Sequence, residues 1–144
     1  LVVSGCGISR QIKEPKWIES LKIIRWILGR IILIVDALSS PTPVIREPGH
    51  QKEIDELTSS MAIYQFETCP FCVKVRRELM RQSLRIELRD AKNDLDIKAE
   101  LVREGGRHKV PCLRTENPDG SIDWLYESND IIAHLQNKFS LRGL

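Results

Sequence analysis

The four residues 69–72, Cys-Pro-Phe-Cys, lie at the junction between a β-type segment and a helical segment, and this junction constrains the fold more than any other feature. Residues 61–66, MAIYQF, form the short apolar run that is typical of a buried strand. Residues 72–82 carry apolar side chains at helical spacing, and proline is well tolerated at the first position of a helix. The sequence therefore predicts a strand–turn–helix unit with Cys69 at the start of the helix.

The rest of the C-terminal half continues to alternate between strand and helix patterns. Residues 84–90 alternate as a strand, and residues 94–106 have the spacing of a helix that ends at a glycine pair. Residues 110–127 hold Asn-Pro-Asp-Gly between two apolar runs, which predicts a β-hairpin, and residues 128–139 form a last helix. A strand–helix–strand crossover makes its strands parallel, whereas a hairpin adds an antiparallel pair. We therefore expect an α/β domain over 61–144, with a mixed four-stranded sheet and three flanking helices.

A helix over residues 17–38 is predicted to be amphipathic, with a wide apolar face and a narrow polar stripe. The stripe consists of Glu19, Lys22, Arg25, Gly29 or Arg30, and Asp36. No charge-free run here approaches the roughly 18 residues of a simple membrane span. The apolar face, with Trp17 and Trp26, suits the surface of a membrane. The alternative is that this face packs on the following domain or on a partner chain.

The composition shifts divide the chain into three parts. Residues 1–40 contain the amphipathic helix, a candidate membrane anchor. Residues 41–60 begin with a proline-rich linker and continue as a short polar helix. Residues 61–144 form the α/β domain.

Charge and cysteine content restrict the chemistry that the 144-residue chain can perform. Its formal net charge of +2, without a long basic run, gives no reason to expect a nucleic-acid partner. Its four cysteines are too few for a secreted disulfide scaffold, so we expect a reducing, cytoplasmic compartment. A tetrahedral zinc site needs four ligands, and only Cys112 and His108 are candidates to complete the CxxC pair, so no metal is expected.

The remaining chemistry for the CxxC pair is attack on another disulfide. Free N–H groups and the helix dipole at a helix N-terminus favour an anion, and the thiolate is the reactive form of cysteine. We therefore predict that Cys69 is the nucleophile. Cys72 lies one turn later and is expected to be more buried, where it can resolve a mixed disulfide formed by Cys69.

Three motifs in this order resemble the glutaredoxin family: CPFC after a strand, VPCL at 110–113, and ESNDIIAHL at 127–135. The same motifs are similar to those of the N-terminal domain of glutathione transferases. The resemblance implies a thioredoxin-like fold and a glutathione-dependent thiol–disulfide oxidoreductase. Its expected partners are glutathione, as reductant, and disulfide-containing or glutathionylated proteins. The expected location is the cytoplasm, at the inner face of the membrane if the first helix binds there.

The resemblance also implies roles for individual residues. Cys69 takes a glutathionyl group and Cys72 resolves it. Val110 pairs through its backbone with the cysteinyl part of glutathione and precedes the family's cis-proline, Pro111. The other glutathione-binding residues that the resemblance implies are Pro70, Phe71, Glu127 and Ser128. The last two match the Glu-Ser pair that holds the γ-glutamyl end in glutathione transferases.

Two departures from the family pattern leave alternatives open. Many glutaredoxins carry a lysine a few residues before the nucleophile, whereas this chain has Glu67, so Lys74, Arg76 or Arg107 would supply any cationic help. A glutathione transferase, or the membrane-associated prostaglandin E synthase of the second type that this layout resembles, adds a helical domain for which these 144 residues leave no room. Such activities are one alternative, and a non-enzymatic redox or glutathione-binding adaptor is another.

Overall fold

A computed structural model describes residues 16–139, which form five α-helices and four β-strands. The helices are α1 (Lys16–Leu38), α2 (Pro48–Thr58), α3 (Pro70–Arg81), α4 (Leu95–Gly105) and α5 (Ser128–Phe139). The strands are β1 (Met61–Gln65), β2 (Glu87–Asp90), β3 (Cys112–Glu116) and β4 (Ile122–Tyr126). They lie in the order β2-β1-β3-β4, with β1 and β2 parallel and the other two pairings antiparallel. This is the thioredoxin-like α/β fold that the sequence predicted.

The period of two along the central strands divides the interior into two apolar clusters. Met61 and Ile63 point into the larger cluster, whereas Tyr64 belongs to the smaller one on the opposite face of the sheet. In β3 the neighbouring residues Cys112 and Leu113 divide in the same way. Helices therefore cover both faces of the sheet, with α3 and α5 contributing to the larger cluster and α4 to the smaller one.

β2 is shorter than predicted because the end of α3 uses part of the expected strand. Ser83 has a positive φ of 51°, and the Leu84 amide donates to the Leu79 carbonyl at 2.9 Å. This bond and that from the Ser83 amide to the Met80 carbonyl form a Schellman-type helix end. Leu84 and Ile86 are still buried, but Leu88, predicted to share their face, is exposed in the edge strand.

The segment between α1 and β1 is more closely integrated than its sequence suggested. The Val44 amide donates to the Arg81 carbonyl at 2.8 Å, which ties the proline-rich stretch to the end of α3. In α2, Ile54 is completely buried and packs in the larger cluster with Val75 and Leu79. The short polar helix therefore contributes to the core through Ile54 and through the partly buried Leu57.

α1 contacts the rest of the protein through Gly29 and Asp36 of its polar stripe, while most of its apolar side chains are exposed to solvent. Asp36 at the end of the stripe pairs with Arg76 and Arg77 of α3, and Gly29 lies against Thr68. The exposed side chains of the opposite face are Leu21, Ile23, Ile24, Ile27, Ile31, Ile34, Val35 and Leu38. The prediction that this face packs on the following domain is therefore wrong. Within residues 16–139 no helix is both long enough and apolar enough to cross a membrane.

Candidate active site

Cys69 occupies the N-cap position of α3, in extended conformation, immediately before Pro70 at the first helical position. Its amide donates to the Phe66 carbonyl at 3.2 Å, and its carbonyl accepts from the Val73 amide at 2.9 Å. The Cys69 side chain makes no capping hydrogen bond, and it is partly accessible to solvent. The structure thus presents this sulfur at the amide-rich end of a twelve-residue helix, which is the position predicted for the nucleophile.

Cys72 lies one turn further along α3 and differs from Cys69 in its environment. It is almost fully buried, and burial raises the pKa of its thiol to about 12. The neighbouring Cys69 adds to this increase through its charge and a hydrogen bond. Cys72 therefore rests as a thiol.

The sheet register brings the segment before Cys69 beside the segment before β3. Tyr64 near the end of β1 pairs with Cys112 at the start of β3, and these strands are antiparallel. The rings of Phe66 and His108 are consequently only 5.7 Å apart, measured between centroids. The Val110–Pro111 peptide bond in this second segment is cis, as the resemblance implied.

A small cavity of about 180 Å³ gathers most of the residues predicted to bind glutathione. Phe71, Val110, Pro111, Glu127 and Ser128 all line it. Pro70 does not; this side chain lines a neighbouring groove instead.

Glu127 and Ser128 lie where β4 ends and α5 begins. Glu127 has a positive φ of 68° and forms an ion pair with Lys109, which lines the same cavity. Ser128 is buried and begins α5. A non-glycine residue held in the left-handed region costs about 1–3 kcal/mol, and such residues cluster at ligand sites.

Sequence reasoning missed the cations that lie beside the nucleophile. A second cavity of about 350 Å³ contains Cys69 together with Lys92, Lys98 and His108. The carboxyl ends of parallel strands meet at one edge of a sheet, so the predicted pairing of β1 with β2 was a signal that residues just after 90 approach Cys69. No such signal pointed to Lys98, which α4 brings to the cavity.

The three cations proposed from the sequence all have other contacts. The Lys74 Nζ donates to Asn129 Oδ1 at 2.5 Å, and the Arg107 guanidinium lies over the Tyr126 ring at 5.5 Å. Arg76 donates to Gln65 and to the Glu67 carbonyl, although its charge still lowers the pKa of Cys72, opposing the larger effect of burial. None of the three lines the cavity that contains Cys69.

The part of the chain that matches a known family contains strand β1, helix α3 with its two cysteines, and strand β3, which follows Pro111. Residues 61–117 match the family model described as Glutaredoxin. Over these residues the chain is similar to the glutaredoxin family. The match covers less than half of the chain. α1 precedes the matched residues, and Glu127 and Ser128 follow them. No match was found among curated proteins or among solved structures.

The match over residues 61–117 suggests the thiol–disulfide oxidoreductase family and a redox enzyme. The Cys69–Cys72 pair at the start of α3 has the arrangement that such chemistry requires, with one accessible sulfur and one buried thiol one turn away. Within residues 16–139, no group of three or more His, Cys, Asp or Glu side chains lies close enough to hold a metal ion.

Proposed function

We propose that this protein is a glutathione-dependent oxidoreductase that reduces glutathionylated proteins and protein disulfides in the cytoplasm. The observation that carries the proposal is the contrast between the two cysteines. Cys69 is accessible at the amide-rich end of α3, whereas burial raises the pKa of the Cys72 thiol to about 12. The thiolate is the attacking form of cysteine, so Cys69 attacks first and Cys72 acts second.

The monothiol reaction needs only Cys69 and glutathione. The Cys69 thiolate attacks the glutathionyl sulfur of a glutathionylated protein, so that a Cys69–glutathione disulfide forms and the disulfide bond between glutathione and the protein sulfur breaks. The bonding electrons leave with the protein sulfur, which takes a proton from water. The thiolate of a second glutathione then attacks the glutathionyl sulfur on Cys69, which releases oxidised glutathione and restores the Cys69 thiolate.

The dithiol reaction uses Cys72 as well. Cys69 attacks one sulfur of a protein disulfide and forms a mixed disulfide, and the other protein sulfur leaves. Cys72 then attacks Cys69, loses its proton to the departing sulfur, and leaves a Cys69–Cys72 disulfide. Two glutathione molecules reduce this disulfide and become oxidised glutathione.

We propose that glutathione occupies both the cavity that contains Cys69 and the cavity at Val110 and Glu127. The Val110 backbone would pair with its cysteinyl part, while Glu127 would bind the γ-glutamyl ammonium and the N-terminus of α5 at Ser128 its carboxylate. The glycyl carboxylate would then reach the cavity that holds Lys92 and Lys98. All of these residues lie within the part of the chain that the structure describes.

Turnover of a glutathionylated peptide, coupled to reduction of oxidised glutathione, tests the assignment of the cysteines. Cys69→Ser is expected to abolish turnover, whereas Cys72→Ser retains it and loses only the reduction of protein disulfides. Equal activity of the Cys69→Ser variant would refute the assignment. Conjugation of glutathione to a chlorinated nitrobenzene is the parallel assay, and activity there without disulfide reduction would favour a transferase.

Glutathione binding has its own test at Glu127. Glu127→Gln removes the charge without changing the shape and is expected to raise the KM for glutathione about fivefold. Glu116→Gln, a matched change at an exposed acid of β3, should leave the KM unchanged. Equal KM values for the two variants would exclude Glu127 from the glutathione site.

We further propose that the exposed face of α1 holds the protein on an anionic membrane surface. Ile27, Ile31 and Ile34 lie on this face, and the exposed Arg25 and Arg30 supply charges that attract anionic headgroups. Flotation with phosphatidylglycerol vesicles tests this attachment. Ile31→Glu should abolish it, whereas Leu95→Glu, an exposed leucine of α4, should not. Dimerisation without vesicle binding would instead assign the face to a second copy of the chain.

A further inference from the structure

α1 is held against the catalytic end of the domain at two places. At Gly29 a Cβ atom would lie 3.3 Å from Thr68 Cγ2, so the helix backbone approaches the residue before the nucleophile closely. At Asp36 the carboxylate lies 3.8 Å from Arg76 Nη2 and 3.5 Å from Arg77 Nη1; the Asp36 and Arg76 side chains are largely buried, and that of Arg77 is 32% exposed. These contacts fix the position of α1 relative to the loop that carries Cys69.

Beside the Gly29 contact, α1 and the catalytic loop enclose a groove of about 690 Å³, which we call the α1 groove. Arg25, Trp26 and Arg30 line its helix side, and the Arg30 guanidinium lies over the Trp26 ring at 5.5 Å. Lys92 adds a third cation from the other side, and Glu67 contributes the one carboxylate of the lining. The groove thus combines excess positive charge with an exposed aromatic surface.

The α1 groove adjoins the cavity that contains Cys69 and lies apart from the cavity at Val110 and Glu127. Thr68 and Lys92 line both the groove and the cavity that contains Cys69. Among the described residues 16–139, none lines both the groove and the cavity at Val110 and Glu127. The α1 groove therefore borders the Cys69 cavity without including the proposed γ-glutamyl site, and it shares Lys92 with the proposed glycyl end of the glutathione site.

We infer that the α1 groove binds the polypeptide next to the reactive cysteine of the protein substrate and selects a segment with acidic and apolar side chains. This inference rests on the proposed function and specifies its substrate. Acidic side chains would pair with Arg25 and Arg30, and an apolar or aromatic one would pack on Trp26. The volume of the groove lies within the roughly 300–1,000 Å³ of ordinary ligand sites. α1 lies outside the residues that match the glutaredoxin model, so the match does not assign the groove.

The test compares two glutathionylated peptides that differ only beside the cysteine, one with Asp-Asp-Leu and the other with Lys-Lys-Leu. The wild-type protein is expected to have a kcat/KM about tenfold higher for the acidic peptide. Arg25→Glu combined with Arg30→Glu should remove this preference. Lys22→Glu, a matched charge reversal on α1 outside the groove lining, should preserve it.

A small substrate, the mixed disulfide of glutathione and 2-mercaptoethanol, separates the two levels of the proposal. If the wild-type protein reduces it but treats the two peptides equally, the groove is not a substrate site and the inference is overturned. An equal effect of Lys22→Glu and of the double variant on the peptides also overturns it. Failure of the wild-type protein on all three substrates refutes the proposed function instead. Quenching of Trp26 fluorescence by the acidic peptide alone, lost in Trp26→Phe, is the supporting readout that needs no turnover.

Discussion

The buried state of Cys72 predicts how slowly this thiol reacts when Cys69 is removed. Burial raises the pKa of Cys72 from 9.0 to about 12, and three pH units correspond to about a thousandfold less thiolate at neutral pH. Cys69→Ser removes the smaller contributions of its neighbour but leaves the burial. In this variant Cys72 should therefore react with iodoacetamide about a hundredfold to a thousandfold more slowly than in the unfolded chain.

Peptide-resolved mass spectrometry of timed alkylation between pH 6 and pH 10 measures this rate at Cys72 alone. We expect the rate to rise about tenfold per pH unit with no plateau over this range, because the thiolate fraction controls it. The same measurement in urea is the control, since unfolding removes the burial and restores the ordinary pKa. A plateau below pH 9 in the folded variant, or a folded rate within tenfold of the unfolded one, would refute the assignment of Cys72 as a protonated resolving thiol.

Two further predictions concern stability. Burial raises the pKa of Cys112 to about 11 and also raises the pKa of Cys72. The folded state therefore keeps both thiol protons at pH values above 9.0, the ordinary pKa of a cysteine. Below pH 9 these thiols should not lower the free energy of unfolding. Above pH 9 the free energy of unfolding should fall by up to about 1.4 kcal/mol per pH unit for each thiol. A Cys112→Ala variant whose free energy of unfolding, measured by urea titration, falls with pH at the wild-type slope would contradict this. Gly105→Ala should lower the free energy of unfolding by about 1–3 kcal/mol, because its Cβ would lie 2.6 Å from the Tyr126 hydroxyl oxygen. Gly49→Ala, with open space around the Cβ, is the control, and equal melting temperatures for the two variants would count against the packing described.

The fold could be predicted because the periodicities of the sequence match the burial closely. Met61, Ile63 and Tyr64 divide between the two faces of β1 as their alternation required. The start of β2 could not be predicted, because Ser83 adopts the left-handed conformation at a helix end that is usually marked by a glycine. Ser83 carries the chain into the helix end there, while the burial of Leu84 and Ile86 preserves the apolar pattern of a strand.

The candidate site was predictable where it depends on local sequence and not where it depends on the packing of distant elements. The position of Cys69 follows from the proline at the first turn of α3, which is a local signal. The approach of Lys98 depends on how α4 packs, which no local pattern encodes. The polar stripe of α1 was recognised, but a polar face is normally assigned to solvent, and here Asp36 turns it toward α3.

The identity of the sulfur that takes the glutathionyl group is the central claim, and one adduct measurement tests it most directly. The Cys72→Ser variant is incubated with oxidised glutathione, and the modified cysteine is located by peptide mass spectrometry without reduction. We predict a single glutathionyl group on Cys69, removed by added glutathione. An adduct that forms instead at Cys112 or Cys6, or the absence of any adduct at Cys69, would contradict the account.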